Sequence, residues 1–372
     1  MKAFRRGTGT WACLAGLMVV AASAPFDGAG TSAAAMREGN DIRLSGAGAS
    51  FPAPFYKRLV AEYQILHPDI LIDYASIGSG GGIKNITDKT VHFAGSDAPM
   101  SRKEMESTGG EQNLVEIPVC AGGVVPTYNL LDLKVDLHFS GDVIADIYMG
   151  KITRWNDKAI ATLNSGITLP DMVITPVWRT DGSGTTFIFT NYLATQSSEF
   201  MATIGMGKQV KWPVGQGGKG NEGVTAVVQK TPGALGYVEQ GFADNNALAY
   251  GWVENRDGRM VKASPESVSL AGAGAVSEMK GAILAANIWN QPGQEAYPIS
   301  SFTYLIIYRD LSNLQSKAEA QALLDFLWWA THDGQKFAKE LDYAPLAAPV
   351  QKKVEEALKM VTYKGESLEV GR

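Results

Sequence analysis

The chain has 372 residues, 45% of them hydrophobic and 19% charged, with a formal charge of −5. Length and composition suffice for two packed globular domains of roughly 100–200 residues each. The acidic balance excludes non-specific binding to nucleic acid or to anionic membranes, which an excess of negative charge opposes.

The first 24 residues read as a secretory signal peptide. Lys2, Arg5 and Arg6 precede the apolar run WACLAGLMVVAA, and Ala22–Ala24 supplies small residues for cleavage. The apolar run is too short to span a bilayer. Cys13 lacks a lipobox-like Leu three residues before it, which argues against a lipoprotein. Residues 25–40 read as a flexible lead-in. Removing the leader takes the formal charge from −5 to −8 and leaves Cys120 as the one cysteine. No internal disulfide is then possible, and its apolar surroundings (VEIPVCAGGVVPTYNL) predict a buried strand residue.

From residue 41 onward, strand-like and helix-like runs alternate. DIRLSGAG (41–48) is a strand ending in glycine. FYKRLVAEYQILHP (55–68) has helical spacing, with Phe55, Leu59, Tyr63 and Leu66 on one face. ILIDYASIG (70–78) is a strand, GGIKNITDKT (81–90) starts a helix, and VHFAGSDAP (91–99) is a strand. Ser101 and Glu104 have the spacing of a capping box. Further on, ITPVWRT (174–180) is a strand leading into a helix, PGALGYVEQ (232–240) a turn and strand, and FTYLIIYRD (302–310) a strongly apolar strand. A helix runs through residues 318–341. The alternation predicts an α/β fold with a mainly parallel sheet. No Ser/Pro-rich linker separates consecutive domains. We therefore expect lobes joined by strands that cross between them, with candidates at 122–130 and 300–310.

Three strand-like segments end in a Gly/Ser/Thr loop that opens a helix: SGAGASFPAPFY (45–56), SIGSGGGIKN (76–85) and RTDGSGTTFIF (179–189). A helix start has unpaired N–H groups and partial positive charge, so it favours an anion. Glycine admits close approach, and Ser and Thr add hydroxyl donors. In open α/β sheets, ligands sit at the carboxyl ends of the strands. Ordinary helix capping produces the same pattern at any single loop; its occurrence three times points to an anion site. Arg179 can present a planar fork to an oxyanion, with Asp181 holding that fork in place. Ser183, Gly184 and Thr185 would donate at the helix start.

The named nucleotide and hydrolase motifs fail. GQGGKGNEG contains Gly218-Lys219, but Gly220 occupies the place of a Ser or Thr. No G-x-G-x-x-G opens a helix, and no G-x-S-x-G is present. The four histidines, His67, His92, His138 and His332, show no metal-ligand spacing, so neither a metal nor a cofactor is expected.

GAGASFPAPFY, IGSGGGIKNI, FAGSDAPMS, DIYMGKITRWND, RTDGSGTTFIFTNYL, GGKGNEGV, PGALGYVE and LDYAPL, in that order, resemble the periplasmic phosphate-binding proteins of bacterial high-affinity phosphate ABC importers. The resemblance spans about Asp41 to Leu346. It implies a two-lobed, type II-like periplasmic-binding-protein fold, with lobe 1 from 41–125 and 302–372 and lobe 2 from 126–301. It implies a monomer that binds phosphate between the lobes and delivers it to membrane permease subunits. It places Ser50, Phe51, Ser79 and Asp97 at the ligand from one lobe, and Arg179, Ser183, Gly184 and Thr185 from the other, with Asp181 buttressing Arg179. Ser50 stands where some relatives carry Thr, which keeps a hydroxyl; Gly80 stands where relatives can have Ser. An acceptor-only carboxylate at Asp97 would favour an anion that carries a proton over sulfate, which has none. Two other readings of the residues remain: a binding protein for another oxyanion, and a secreted phosphatase, which would need a nucleophile with its base or metal ligands.

Overall fold

The computed structural model describes residues 41–130, 133 and 135–371. The signal peptide and lead-in expected over residues 1–40 lie outside the described residues. The described residues form fourteen strands: β1 Ile42–Gly48, β2 Ile70–Ser76, β3 Phe93–Ser96, β4 Leu114–Tyr128, β5 His138–Phe139, β6 Thr175–Arg179, β7 Gln216–Gly218, β8 Ala234–Glu239, β9 Ala249–Tyr250, β10 Trp252–Glu254, β11 Met260–Val261, β12 Ser300–Tyr308, and a C-terminal hairpin of β13 Thr362–Tyr363 with β14 Glu366–Ser367.

The main sheet has the order β2-β1-β3-β12-β4-β8-β6-β7. Its wings are parallel, as the strand–helix alternation predicts: β1 pairs with β2 and β3, and β6 with β7 and β8. Its centre is antiparallel, because β12 pairs with β3 and β4, and β4 with β8. The sheet as a whole is therefore mixed rather than mainly parallel. Local periodicity cannot reveal this, since β12 meets β3 and β4, and β8 meets β4, over long sequence separations.

Strand β4 joins the wings. Its residues 114–123 pair with β12, and from Val124 to Tyr128 it pairs with β8. Every residue of β4 and of β12 is buried, Cys120 included. The partner change falls between Gly123 and Val124, and β12 begins opposite Gly123 at Ser300. Of the two segments expected to cross, 122–130 contains this change of partner, whereas β12, over 300–310, pairs only with β3 and with the first part of β4.

The first helix, Ala53–Leu66, has Pro54 in its first turn, where no N–H is needed. Phe55, Leu59 and Tyr63 are buried, but Leu66 is 59% exposed: the helix runs out of core at its last turn. Ser101 and Glu104 form the expected capping box. The helix predicted across 318–341 stops at Thr331 and continues as two 3-10 turns from Asp333. In the second wing, Tyr237 stacks on Phe189 and tilts against Tyr148 and Trp212. This aromatic cluster fixes the end of β6 and the helix that follows it, which carry half of the site.

Candidate functional site

Three loops meet where the wings face each other, each at the carboxyl end of a parallel strand. From β1 come Ser50 and Phe51; from β2 comes Ser79, first residue of helix Ser79–Thr87; from β6 come Arg179 to Thr185, at the start of helix Gly184–Gln196. Asp97 follows β3 directly. Ser50, Phe51, Ser79, Asp97, Arg179, Ser183 and Thr185 are all buried, and the structure brings all eight predicted residues together with Asp181. The loops also touch by backbone: Gly80 N–H donates to the Gly182 carbonyl at 2.8 Å.

Glycine is required at two of these contacts. Gly78 precedes the second helix with φ of 86°, a left-handed conformation, against Asp181. A Cβ on Gly184 would lie 2.5 Å from both Asp97 Oδ2 and Ser79 Oγ.

Arg179 commits three of its five N–H groups within the protein. Its Nε and Nη2 donate to the two Asp181 oxygens at 2.8 and 2.6 Å, and Nη1 donates to Thr185 Oγ1 at 3.2 Å. A guanidinium has five N–H groups, so one remains on each Nη. Burial pushes the Asp181 carboxyl up, but the hydrogen bonds and charge of Arg179, with the Gly220 N–H, outweigh it and hold it below the ordinary carboxylate range.

The hydroxyls are arranged as donors. Ser50 Oγ accepts from the N–H and Nδ2 of Asn221 at 3.1 and 2.9 Å. Thr185 Oγ1 accepts from Arg179 and from Asn221 Nδ2. Ser183 Oγ caps its helix by accepting from Thr186 N–H at 3.0 Å. With their oxygens occupied as acceptors, these three hydroxyls have protons to give. Ser79 differs. Its Oγ accepts from Asp97 N–H and Gly184 N–H and directs its proton to Asp97 Oδ2 at 3.4 Å, so it bridges the wings.

Asp97 is the one carboxylate here without a cationic hydrogen-bond partner among the described residues. Thr303 Oγ1, from β12, donates to its Oδ1 at 2.8 Å. Burial pushes Asp97 up to about 7, against the lowering effects of Thr303, the Arg179 charge and Ser79. The folded chain thus keeps this proton over a window, from the ordinary carboxylate range to about 7, where the unfolded chain has lost it. Stability from this group is greatest below that window and falls as pH rises across it. Asp97→Asn should remove that slope: thermal unfolding followed against pH should show the variant gaining on the wild type as pH rises, and levelling above about 7.

Several contributing residues escaped the sequence reading. Asn221 is completely buried and ties Ser50 to Thr185, while its Oδ1 accepts from Glu239 N–H. Its loop, GGKGNEG, is Gly-rich and opens helix Gly220–Lys230 as the other three loops open theirs, and that pattern is the signal in the sequence. Thr303 lies in an apolar strand with no local sign of its role. The Lys208 carbonyl accepts the N–H of Ser183, and its ammonium pairs with Glu104 of the opposite wing at 2.6 and 2.7 Å.

Such a set, with donors on most sides and one carboxyl, suits an oxyanion that can carry a proton. Comparison with known proteins points the same way. The profile of the PBP superfamily domain matches residues 26–333. The phosphate-binding protein PstS of Pasteurella multocida is 42% identical over 316 residues, covering 84% of this chain and 88% of its own. That of Xylella fastidiosa strain 9a5c is 40% identical over 331 residues, covering 88% of each. Among solved structures, PfluDING, a high-affinity periplasmic phosphate-binding protein with phosphate bound, superposes with a TM-score of 0.68 at 18% identity, over 84% of this chain and 93% of its own. At that identity the likeness speaks for the two-lobed α/β fold alone.

Proposed function

This chain belongs to the PstS family of phosphate-binding proteins, and on that footing we propose that it binds inorganic phosphate in the periplasm and delivers it to the permease subunits of a phosphate ABC importer. The observation that carries the reading is the donor inventory at the site: two uncommitted N–H groups on Arg179 and the hydroxyls of Ser50, Ser183 and Thr185, facing a single buried carboxyl, Asp97. Phe51 contributes through its backbone; its ring packs against Tyr343. Ser79 and Gly184 bring the two sides into contact. The lobes we assign are 41–125 with 302–372, and 126–301, so that the ligand is enclosed when they close. The protein acts as a monomeric carrier without a catalytic step. Dipoles and hydrogen bonds hold the anion, so the acidic net charge is no obstacle.

Selectivity comes from Asp97. The dianion HPO₄²⁻ has a proton to donate to the carboxylate; sulfate has none and leaves two acceptors facing each other. Calorimetry with phosphate and then sulfate, at neutral pH and fixed salt, tests the function directly. Tight phosphate binding and weak sulfate binding are expected; equal binding would contradict it. Asp97→Asn can turn either an acceptor or a donor to the ligand. The phosphate-to-sulfate affinity ratio should drop by at least about tenfold, or ~1.4 kcal/mol. An unchanged ratio in the folded variant would move sulfate rejection elsewhere in the site. In the wild type the same ratio should shrink as pH falls through about 7, where Asp97 takes up its own proton and can donate to sulfate.

A further inference from the structure

Glu239 ends β8 and touches none of the anion donors, yet two chains of hydrogen bonds lead from it into the site. Through its backbone, Glu239 N–H donates to Asn221 Oδ1 at 3.0 Å, and Asn221 in turn donates to Ser50 and Thr185. Through its side chain, Oε2 lies 3.0 Å from Tyr343 Oη, which donates to the Phe51 carbonyl at 2.7 Å. Oε1 accepts the N–H of Gly241 at 3.0 Å. Both Glu239 and Tyr343 are completely buried.

The tyrosine has one proton and two oxygens within reach. The Phe51 carbonyl can only accept and is the nearer of the two, at 2.7 Å against 3.0 Å, so it takes that proton. An ionised Glu239 would then set a bare carboxylate oxygen against a tyrosine oxygen that has no second proton to offer. Both contacts are bonding at once only when Oε2 carries a proton and donates to Tyr343. The charges around the group agree. Asp244 from its own following helix, Asp342 beside Tyr343, Cys120 of β4 and Tyr343 itself all act on this pair, and none is a cation. Burial pushes the carboxyl well above its ordinary value, and Asp342 and Asp244 add to this; the Gly241 N–H opposes it, as Tyr343 would if it gave its proton to Glu239 rather than to Phe51.

We propose that Glu239 is a positioning residue that works as a neutral carboxylic acid, relaying a hydrogen bond through Tyr343 to hold the Ser50–Phe51 loop while its backbone holds Asn221. One residue at the junction of the wings thereby sets the donor groups that both sides present. Its effect on affinity rests on the phosphate-binding reading; its protonation does not.

Three variants and two measurements test this. Glutamine preserves the shape, and its NH₂ can donate to Tyr343 as the acid does. Glu239→Gln should keep phosphate affinity within about threefold of wild type, whereas Glu239→Ala and Tyr343→Phe should each lose about tenfold or more, for the loss of a buried hydrogen-bonded partner. Independently, the infrared difference between wild type and Glu239→Gln at neutral pH should contain the carbonyl band of a protonated carboxyl, shifted in Tyr343→Phe. Absence of that band from the difference spectrum overturns the proposal. So does a Gln variant that is folded but binds as poorly as the Ala variant, or a Tyr343→Phe protein with wild-type affinity. A wild type that binds no phosphate would refute the phosphate reading instead, and the infrared band would then decide the state of Glu239 alone.

Discussion

Arg179→Ala should bind phosphate at least about a hundredfold more weakly than the wild type, with the fold intact. The two N–H groups left on its Nη atoms are charge-assisted donors worth about 1.5–3 kcal/mol each, so losing both costs about 3–6 kcal/mol. A second effect adds to this. Asp181 loses both of its Arg179 hydrogen bonds and keeps the Gly220 N–H at 3.0 Å, so an under-compensated carboxylate faces the incoming anion. The double variant Arg179→Ala with Asp181→Asn should therefore recover part of the loss. Arg179→Lys should fall between, because one ammonium cannot hold Asp181, Thr185 and the ligand in the geometry of the fork. Titration calorimetry reads the affinities, and far-ultraviolet circular dichroism confirms folding. Near-native binding by a folded Arg179→Ala protein would remove this residue from the site.

Gly184→Ala should be comparably damaging for a different reason. The added methyl would sit 2.5 Å from Asp97 Oδ2 and Ser79 Oγ and 2.6 Å from Asp97 Cβ. Neither neighbour can retreat freely. Thr303 holds Asp97, and Ser79 is held by the N–H groups of Asp97 and Gly184. The helix bearing Thr185 and Ser183 must then back away from the opposite wing. Overpacking of this kind costs about 1–3 kcal/mol, and here it falls on the contact that joins the two halves of the site, which places it near the upper end of that range, so affinity should drop by about a hundredfold. If closure is what suffers, the ligand's dissociation rate should rise more than its association rate falls, which stopped-flow measurement separates. Unchanged rates would show that the wings need not approach this closely.

The parts of the site legible in the sequence were those with a local chemical signature. Ser50, Ser79 and Ser183 stand in Gly-rich stretches at strand ends, and Arg179 and Asp181 are close enough in sequence to suggest their pairing. Asn221 lacked such a sign, because its partners Ser50 and Thr185 lie 171 and 36 residues away. Its loop, which fails as a nucleotide-binding motif, opens helix Gly220–Lys230 in the manner of the other three. Thr303 is one polar residue in a strand otherwise read for its apolar character. Glu239 looks like an ordinary strand-end acid until Tyr343, 104 residues later, is placed beside it. The same limit explains the sheet. Alternation of strand and helix correctly indicates its parallel wings, whereas the antiparallel centre depends on which distant strands pair. Leu66 shows the converse: its periodic position was right for the helix face, but the face extends beyond the core.

The slot occupied by β12 also governs when this protein can finish folding. Strands β3 and β4 are consecutive in the chain but do not pair with each other; β12 lies between them. Ser96 meets Tyr304 only after roughly 200 more residues have been synthesised, which at ~5–20 residues per second takes about 10–40 s. Throughout that interval the nascent chain carries an open gap flanked by two strands whose residues are largely apolar and all buried in the finished fold. Such edges are templates for wrong pairing. The late strand thus delays completion until nearly the whole chain is available, leaving a period in which a holding factor can keep it unfolded. A chain cut before Ser300 lacks the insert that closes the gap, and should be recovered as aggregate rather than as a soluble half-protein.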